Sequence, residues 1–131
     1  MNRDQISQAS PCASVLVVDD EPALCNAIRM ILELDGYHVD MATNGADAVT
    51  QAVEAHPAVV LLDLCMPGMD GWQTQHLLRE RVPEVPVVFM TAGDKVWREA
   101  ASHQAAGGLR KPFDVDTVLD TVARFIPSPA P

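Results

Sequence analysis

Val15-Leu16-Val17-Val18-Asp19-Asp20 is a short apolar run, rich in β-branched residues, that stops abruptly at two acids. The pattern returns in Val59-Val60-Leu61-Leu62-Asp63. It returns again in Val85-Pro86-Val87-Val88-Phe89-Met90, where Thr91 is the polar residue that follows. Runs that are apolar at every position, rather than at every second one, suit strands covered on both faces, as in a parallel sheet. Tyr37 to Ala42 is a weaker strand candidate. Gly107 to Arg110 is weaker still, and a strand is placed there mainly because the alternation requires one.

The segments between these runs have helical spacing. Leu24, Ala27, Ile28, Ile31 and Leu32 make one face, with Gly36 where a helix stop belongs. Ala46, Val49, Ala52 and Val53 make a second face after the Asn44-Gly45 turn. Gln73 to Arg81 is a third helix, with Leu77 and Leu78 turned inward, and Val96, Ala100 and Ala101 mark a fourth. Val115, Val118, Leu119, Val122 and Ile126 make the last face, with Asp114 as its N-cap. The order is βα five times over. Right-handed crossovers then place helices on both faces of a doubly wound, five-stranded parallel sheet, and five strands favour the order 2-1-3-4-5.

At 131 residues the chain is long enough for one domain. Residues 14–126 are expected to form it. Residues 1–13 read as a flexible tail, and residues 127–131 as a C-terminal tail or the start of a linker. With 18 acidic against 9 basic side chains the formal charge is −9, and the only lysines are Lys95 and Lys111. That balance argues against direct nucleic acid binding and favours a divalent cation or a basic partner. No apolar run approaches the roughly 20 residues needed to cross a bilayer, so no membrane role is expected. Met1 to Ser10 does not resemble a secretory signal, so a cytoplasmic location is expected. Cys12, Cys25 and Cys65 are odd in number without CxxC spacing, and read as reduced thiols, with Cys25 filling core.

In such sheets ligands sit beyond the carboxyl ends of the strands, where strand order reverses. Asp19 and Asp20 follow the first strand, Asp63 the third, Thr91 the fourth and Lys111 the fifth. All five fall at one edge, with the three aspartates at the reversal. Clustered carboxylates repel one another, and a hard divalent cation relieves the repulsion. Mg²⁺ suits the cluster because it accepts one or two carboxylates and keeps room for phosphate oxygens. A carboxylate beside it can act as a nucleophile toward phosphorus. A lysine can neutralise the phosphoryl group and a hydroxyl can hydrogen-bond it. Taken singly, each residue has a plainer reading: a helix-start acid, a turn cap, a strand-end hydroxyl or a solvated lysine. Their convergence on one edge favours the chemical reading.

Four stretches carry a family resemblance: Val15-Leu16-Val17-Val18-Asp19-Asp20-Glu21-Pro22, Leu61-Leu62-Asp63-Leu64-Cys65-Met66-Pro67-Gly68-Met69-Asp70-Gly71, Val87-Val88-Phe89-Met90-Thr91-Ala92 and Arg110-Lys111-Pro112-Phe113. Together they resemble the receiver domain of two-component response regulators, of chemotaxis type and flavodoxin-like fold, over about residues 14 to 126. The resemblance implies that Asp63 accepts a phosphoryl group from a phosphohistidine. It implies Mg²⁺ held by Asp20, by Asp19 largely through water, by Asp63 and by the backbone carbonyl of Cys65. Lys111 would pair with the carboxylate and later the phosphate, and Thr91 would move toward the phosphoryl oxygens. The implied partners are a sensor histidine kinase or histidine phosphotransfer protein, and a downstream effector or covalent output domain. A second copy, through the face of the fourth helix, fifth strand and last helix, completes the set. No enzymatic turnover is implied beyond the domain's own phosphorylation and dephosphorylation.

One position departs from the family pattern. Three residues before the lysine, where Tyr or Phe is common, stands Gly108, preceded by Gly107. The alternative reading is a Mg²⁺-dependent phosphatase or hydrolase with an aspartyl-phosphate intermediate. Such enzymes generally place two acids after one strand, nucleophile first, and carry a cap, whereas here Asp63 is on a separate strand and the chain is too short for a cap. A flavodoxin-type electron carrier would want a Ser/Thr/Gly-rich loop where Asp19-Asp20-Glu21-Pro22 stands.

Overall fold

The computed structural model describes residues 14–63, 71–91, 107–110 and 114–126. The elements run β1 (Ser14–Val18), α1 (Pro22–Leu34), β2 (His38–Ala42), α2 (Gly45–Ala55), β3 (Val59–Asp63), α3 (Gly71–Arg81), β4 (Val87–Thr91), β5 (Gly107–Arg110) and α4 (Val115–Ala123). The helix expected around Val96, Ala100 and Ala101 lies outside the described residues, as do the two tails. The five strands form one sheet in the order β2-β1-β3-β4-β5, and every pairing is parallel. The weak strand at Gly107–Arg110 is therefore real. It is an edge strand held by backbone pairing to β4.

Because side chains alternate across a strand, the continuous apolar runs divide into two cores. Val15, Val17, Val59, Leu61, Val88 and Met90 face one way and pack with Cys25, Ile28 and Leu32 of α1 and Val118 and Val122 of α4. Leu16, Val18, Val60, Leu62, Val87 and Phe89 face the other way and pack with Ala48, Val49 and Ala52 of α2 and Leu78 of α3. Helices therefore cover both faces of the sheet. This is why β1 and β3 are buried at every position, whereas β2, at the edge of the sheet, exposes His38.

The helix faces are rotated slightly from the expected ones. On α1 the buried positions are Cys25, Ile28 and Leu32, with Leu24 and Ile31 flanking them and Ala27 exposed. On α2 they are Gly45, Ala48, Val49 and Ala52, while Ala46 and Val53 face solvent. Alanine has little apolar area to remove from water whichever way it faces, so a face read from alanines has little directional signal. On α4 Val115 is half exposed, whereas Val118, Val122 and Ile126 are buried as expected. Asp63 and Thr91 are the last residues of their strands rather than the first residues after them.

The helix ends follow local chemistry. Asn44 caps α2 by accepting the Asp47 N–H at 2.8 Å, and Asp114 caps α4 by accepting the Thr117 N–H at 2.8 Å. The turn after α1 closes through Gly36 at φ 97°, a conformation that costs glycine little. The α2 terminus is less usual. His56 takes φ 46° there, and its Nδ1 lies 3.0 Å from Oε2 of Glu84. Tyr37, buried at the entry to β2, donates its hydroxyl to the Ile126 carbonyl at 3.2 Å and so ties the end of the α4 segment to the α1 layer. Burial, followed by the charge of Asp35, raises that phenol's pKa and keeps it a donor.

Candidate functional site

Val18, the last residue of β1, pairs with Ala42 of β2 on one side and Leu62 of β3 on the other. Asp19 therefore leaves β1 level with Asp63, the final residue of β3. β1 and β3 are the pair at which strand order reverses, so the crossover helices diverge there. Asp19, Asp20 and Asp63 meet at that point, each offering a carboxylate oxygen, and these oxygens lie within 4.8 Å of one another. Asp19 is 0% exposed and Asp63 4%, while Asp20 reaches solvent.

Asp19 is held at its N–H, its carboxylate and its carbonyl. Its N–H continues the β1–β2 ladder to the Ala42 carbonyl at 3.1 Å. Its Oδ1 accepts the Glu21 N–H at 3.0 Å, in the tight turn that leads to Pro22 at the start of α1. Its carbonyl accepts the Cys25 thiol at 3.3 Å. That thiol is buried, and desolvation, aided by the negative charge of Asp19, pushes it up to about 11. It therefore stays protonated, and a donor, at neutral pH.

The donor set suits a hard cation: three carboxylates and no sulfur or imidazole ligand among them. An ion that binds oxygen at about 2.0–2.1 Å cannot hold two oxygens more than about 4.2 Å apart. Three carboxylates gathered within 4.8 Å are compatible with a small hard cation.

The structure brings together the three aspartates singled out in the sequence. It places Thr91 at the same edge. Asp63 pairs with Met90, so Thr91 stands one residue beyond Asp63 on the neighbouring strand, and Thr91 in turn pairs with Arg110. Lys111, the next residue in the chain, lies outside the described residues, as do Cys65, Gly93 and Trp97. Gly108 pairs with Phe89, whose ring meets Trp72 of α3 edge-on, at 5.2 Å between centroids and 86° between planes. The tie from Cys25 to Asp19 was not legible in the sequence. Helical spacing marked Cys25 as core, and nothing in it identified an acceptor six residues upstream.

The profile of the response regulator receiver domain matches residues 15–123. This chain belongs to the response regulator receiver domain family. The receiver domain is 37% identical over 116 residues to the protein PilH of Pseudomonas aeruginosa, covering 84% of this chain and 94% of PilH. It is 43% identical over 114 residues to the positive alginate biosynthesis regulatory protein of the same organism, covering 85% of this chain and 46% of that one. It is also 38% identical over 108 residues to the probable transcriptional regulatory protein TcrX of Mycobacterium tuberculosis, covering 81% of this chain and 46% of that one. The chain thus spans about half the length of several curated relatives that it matches. Among solved structures, the chemotaxis protein CheY4 of Vibrio cholerae superposes with a TM-score of 0.78 at 29% identity, covering 86% of this chain and 98% of that one. The receiver domain of NtrX from Brucella abortus superposes at 0.79 with 26% identity, covering 84% and 95%. The flavodoxin-like, doubly wound architecture is therefore shared, and the receiver domain is a module of two-component signalling. No described helix is long and apolar enough to cross a membrane.

Proposed function

We propose that this receiver domain is a phosphorylation switch, with Asp63 as the phosphoacceptor and Mg²⁺ as the resident cation. The observation that carries the reading is the cluster itself: Asp63, 4% exposed, ends β3 with its carboxylate within 4.8 Å of Asp19 and Asp20. Burying that much like charge is unfavourable unless a cation or an incoming electrophile shares it. Mg²⁺ would supply positive charge against the carboxylates and the transferring phosphoryl oxygens. Asp20 and Asp63 would hold it directly, Asp19 largely through water, and the Cys65 carbonyl would be a further ligand.

An Asp63 carboxylate oxygen attacks phosphorus as the N–P bond of the donor phosphohistidine breaks, and the imidazole leaves with its electron pair. Lys111 pairs first with the carboxylate and then with the phosphate. Thr91 hydrogen-bonds the phosphoryl group and draws the segment after β4 toward it. Water reverses the modification by hydrolysis. The domain acts on no separate substrate, in keeping with receiver domains generally, which are not typically enzymes in the ordinary sense.

The donor is a sensor histidine kinase or a histidine phosphotransfer protein in the cytoplasm. The output is a downstream effector or a covalently attached output domain, without direct nucleic acid contact by this domain. Residues 14–126 are the switching unit, flanked by the tail 1–13 and by a tail or linker at 127–131. A homodimer would form through the face of the expected fourth helix, β5 and α4. Gly108, opposite Phe89 in the ladder, removes the ring that relatives commonly carry on the fifth strand. Activation would then be expressed by the segment after Thr91 rather than by a rotamer change on β5. Incubation with acetyl phosphate and Mg²⁺ is expected to add one phosphoryl group by intact mass. Equal labelling of Asp63→Asn, or no dependence on Mg²⁺, overturns the reading.

A further inference from the structure

One contact beside the acidic cluster that the switch reading leaves unused is that of the Cys25 thiol. A buried Ser, Thr or Cys on a helix ordinarily returns its hydrogen to a carbonyl three or four residues back, within its own helix. In α1 the Glu21 carbonyl, four residues back, accepts the Cys25 N–H at 3.1 Å, the ordinary helical bond. The thiol instead reaches six residues back, out of the helix, to the Asp19 carbonyl at 3.3 Å. That carbonyl belongs to the peptide plane that also contains the Asp20 nitrogen. Rotation of the plane would swing the Asp20 side chain, the exposed member of the cluster. The Asp19 carboxylate is separately held by the Glu21 N–H at 3.0 Å, so its own aim does not need the thiol.

We infer that Cys25 is a positioning residue for the cation site: acting through the Asp19–Asp20 peptide, its thiol pre-aims Asp20 at the place shared with Asp63. This rests on the reading of the cluster as a cation site. The sulfur does not touch the ion. The thiol's role is to lower the entropy that Asp20 must lose when a cation binds, and the effect belongs to affinity rather than to the chemical step. Cys25 is 1% exposed, so no other group competes for the contact from solvent.

The test compares the full chain with Cys25→Ser, which keeps a donor, and with Cys25→Ala and Cys25→Val, which remove it. Valine also fills the space. Mg²⁺ alone is titrated and followed by amide resonances, and thermal melting is recorded for each protein. Cys25→Ala and Cys25→Val are expected to bind Mg²⁺ roughly threefold to tenfold more weakly, the range one neutral hydrogen bond supports. Cys25→Ser stays within about twofold of the parent on the same reasoning. Acetyl phosphate labelling at saturating Mg²⁺ is expected to proceed at the parent rate in all four. If the three variants bind Mg²⁺ as the parent does, or if affinity follows melting temperature rather than the donor, the inference is overturned while the switch reading stands. If the parent itself shows no Mg²⁺ binding, both fall.

Discussion

The two helical layers on either side of the sheet both pack apolar cores but have different relations to the acidic edge. The α1–α4 layer covers Val15, Val17, Val59 and Leu61, and one alternation further along the same strands lie Asp19 and Asp63. Its first helix also touches the site, through the Cys25 thiol on the Asp19 carbonyl. The α2–α3 layer covers the alternate strand positions and adds the Trp72–Phe89 edge contact. A single sheet thus separates the layer whose strand positions lead on to Asp19 and Asp63 from the layer packed on the alternate positions. The alternation of side chains along a strand is what makes that separation sharp.

Truncating one fully buried residue in each layer should separate the two layers most clearly. Ile28→Ala and Leu78→Ala should each lower unfolding stability by about 2–5 kcal/mol in urea melts. Only Ile28→Ala, one turn from Cys25, should also weaken Mg²⁺ binding at temperatures where both proteins remain folded. Equal Mg²⁺ affinity in the two would dissolve the distinction. Tyr37→Phe is expected to cost about 1–3 kcal/mol by leaving the buried Ile126 carbonyl without its donor. Amide exchange should then quicken at the end of the α4 segment and not in α3.

On the opposite layer, Trp72→Leu keeps an apolar contact and loses the edge-on ring geometry, an expected loss of about 0.5–1.5 kcal/mol. The resonances of Phe89 should shift and those of Asp19 should not. The smallest effect concerns the helix caps, one in each layer. Hydrogen bonds from Thr117 hold the Asp114 carboxyl below the usual 3.8. A depressed carboxyl pKa means that this cap's contribution is fully present above the unfolded value and is lost as pH falls through the folded one. Asn44, the equivalent cap of α2, does not titrate. Acidification should therefore loosen the Thr117 amide before the Asp47 amide, and Asp114→Asn should flatten the difference.

Much of this was legible in the chain. The runs beginning at Val15, Val59 and Val85 announced buried strands, because a strand covered on both faces is apolar at successive positions. The acids that end the first two runs fell at one edge for the same reason: in a parallel sheet all carboxyl ends point the same way. The helix faces were less legible where alanine dominated, as at Ala27 and Ala46, which turned out exposed. Thr74 and Gln75 of α3 are buried, although their polarity gave no sign of it. Packing against neighbouring segments decided those positions, and it overrides the preference of a single side chain.

The sequence by itself determined the order of elements, the direction of the strands and the gathering of Asp19, Asp20 and Asp63 at the strand ends. These follow from local periodicity and from the handedness of crossovers, which need no detailed packing. Tertiary structure alone decided which helix holds the acidic pair and how it holds it. The Cys25 sulfur and the Asp19 carbonyl are six residues apart along the chain, a spacing with no local rule to announce it. The contact exists because α1 lies down on β1 with Cys25 inward. That orientation is set jointly by Ile28, Leu32, Val118 and Val122 filling one core.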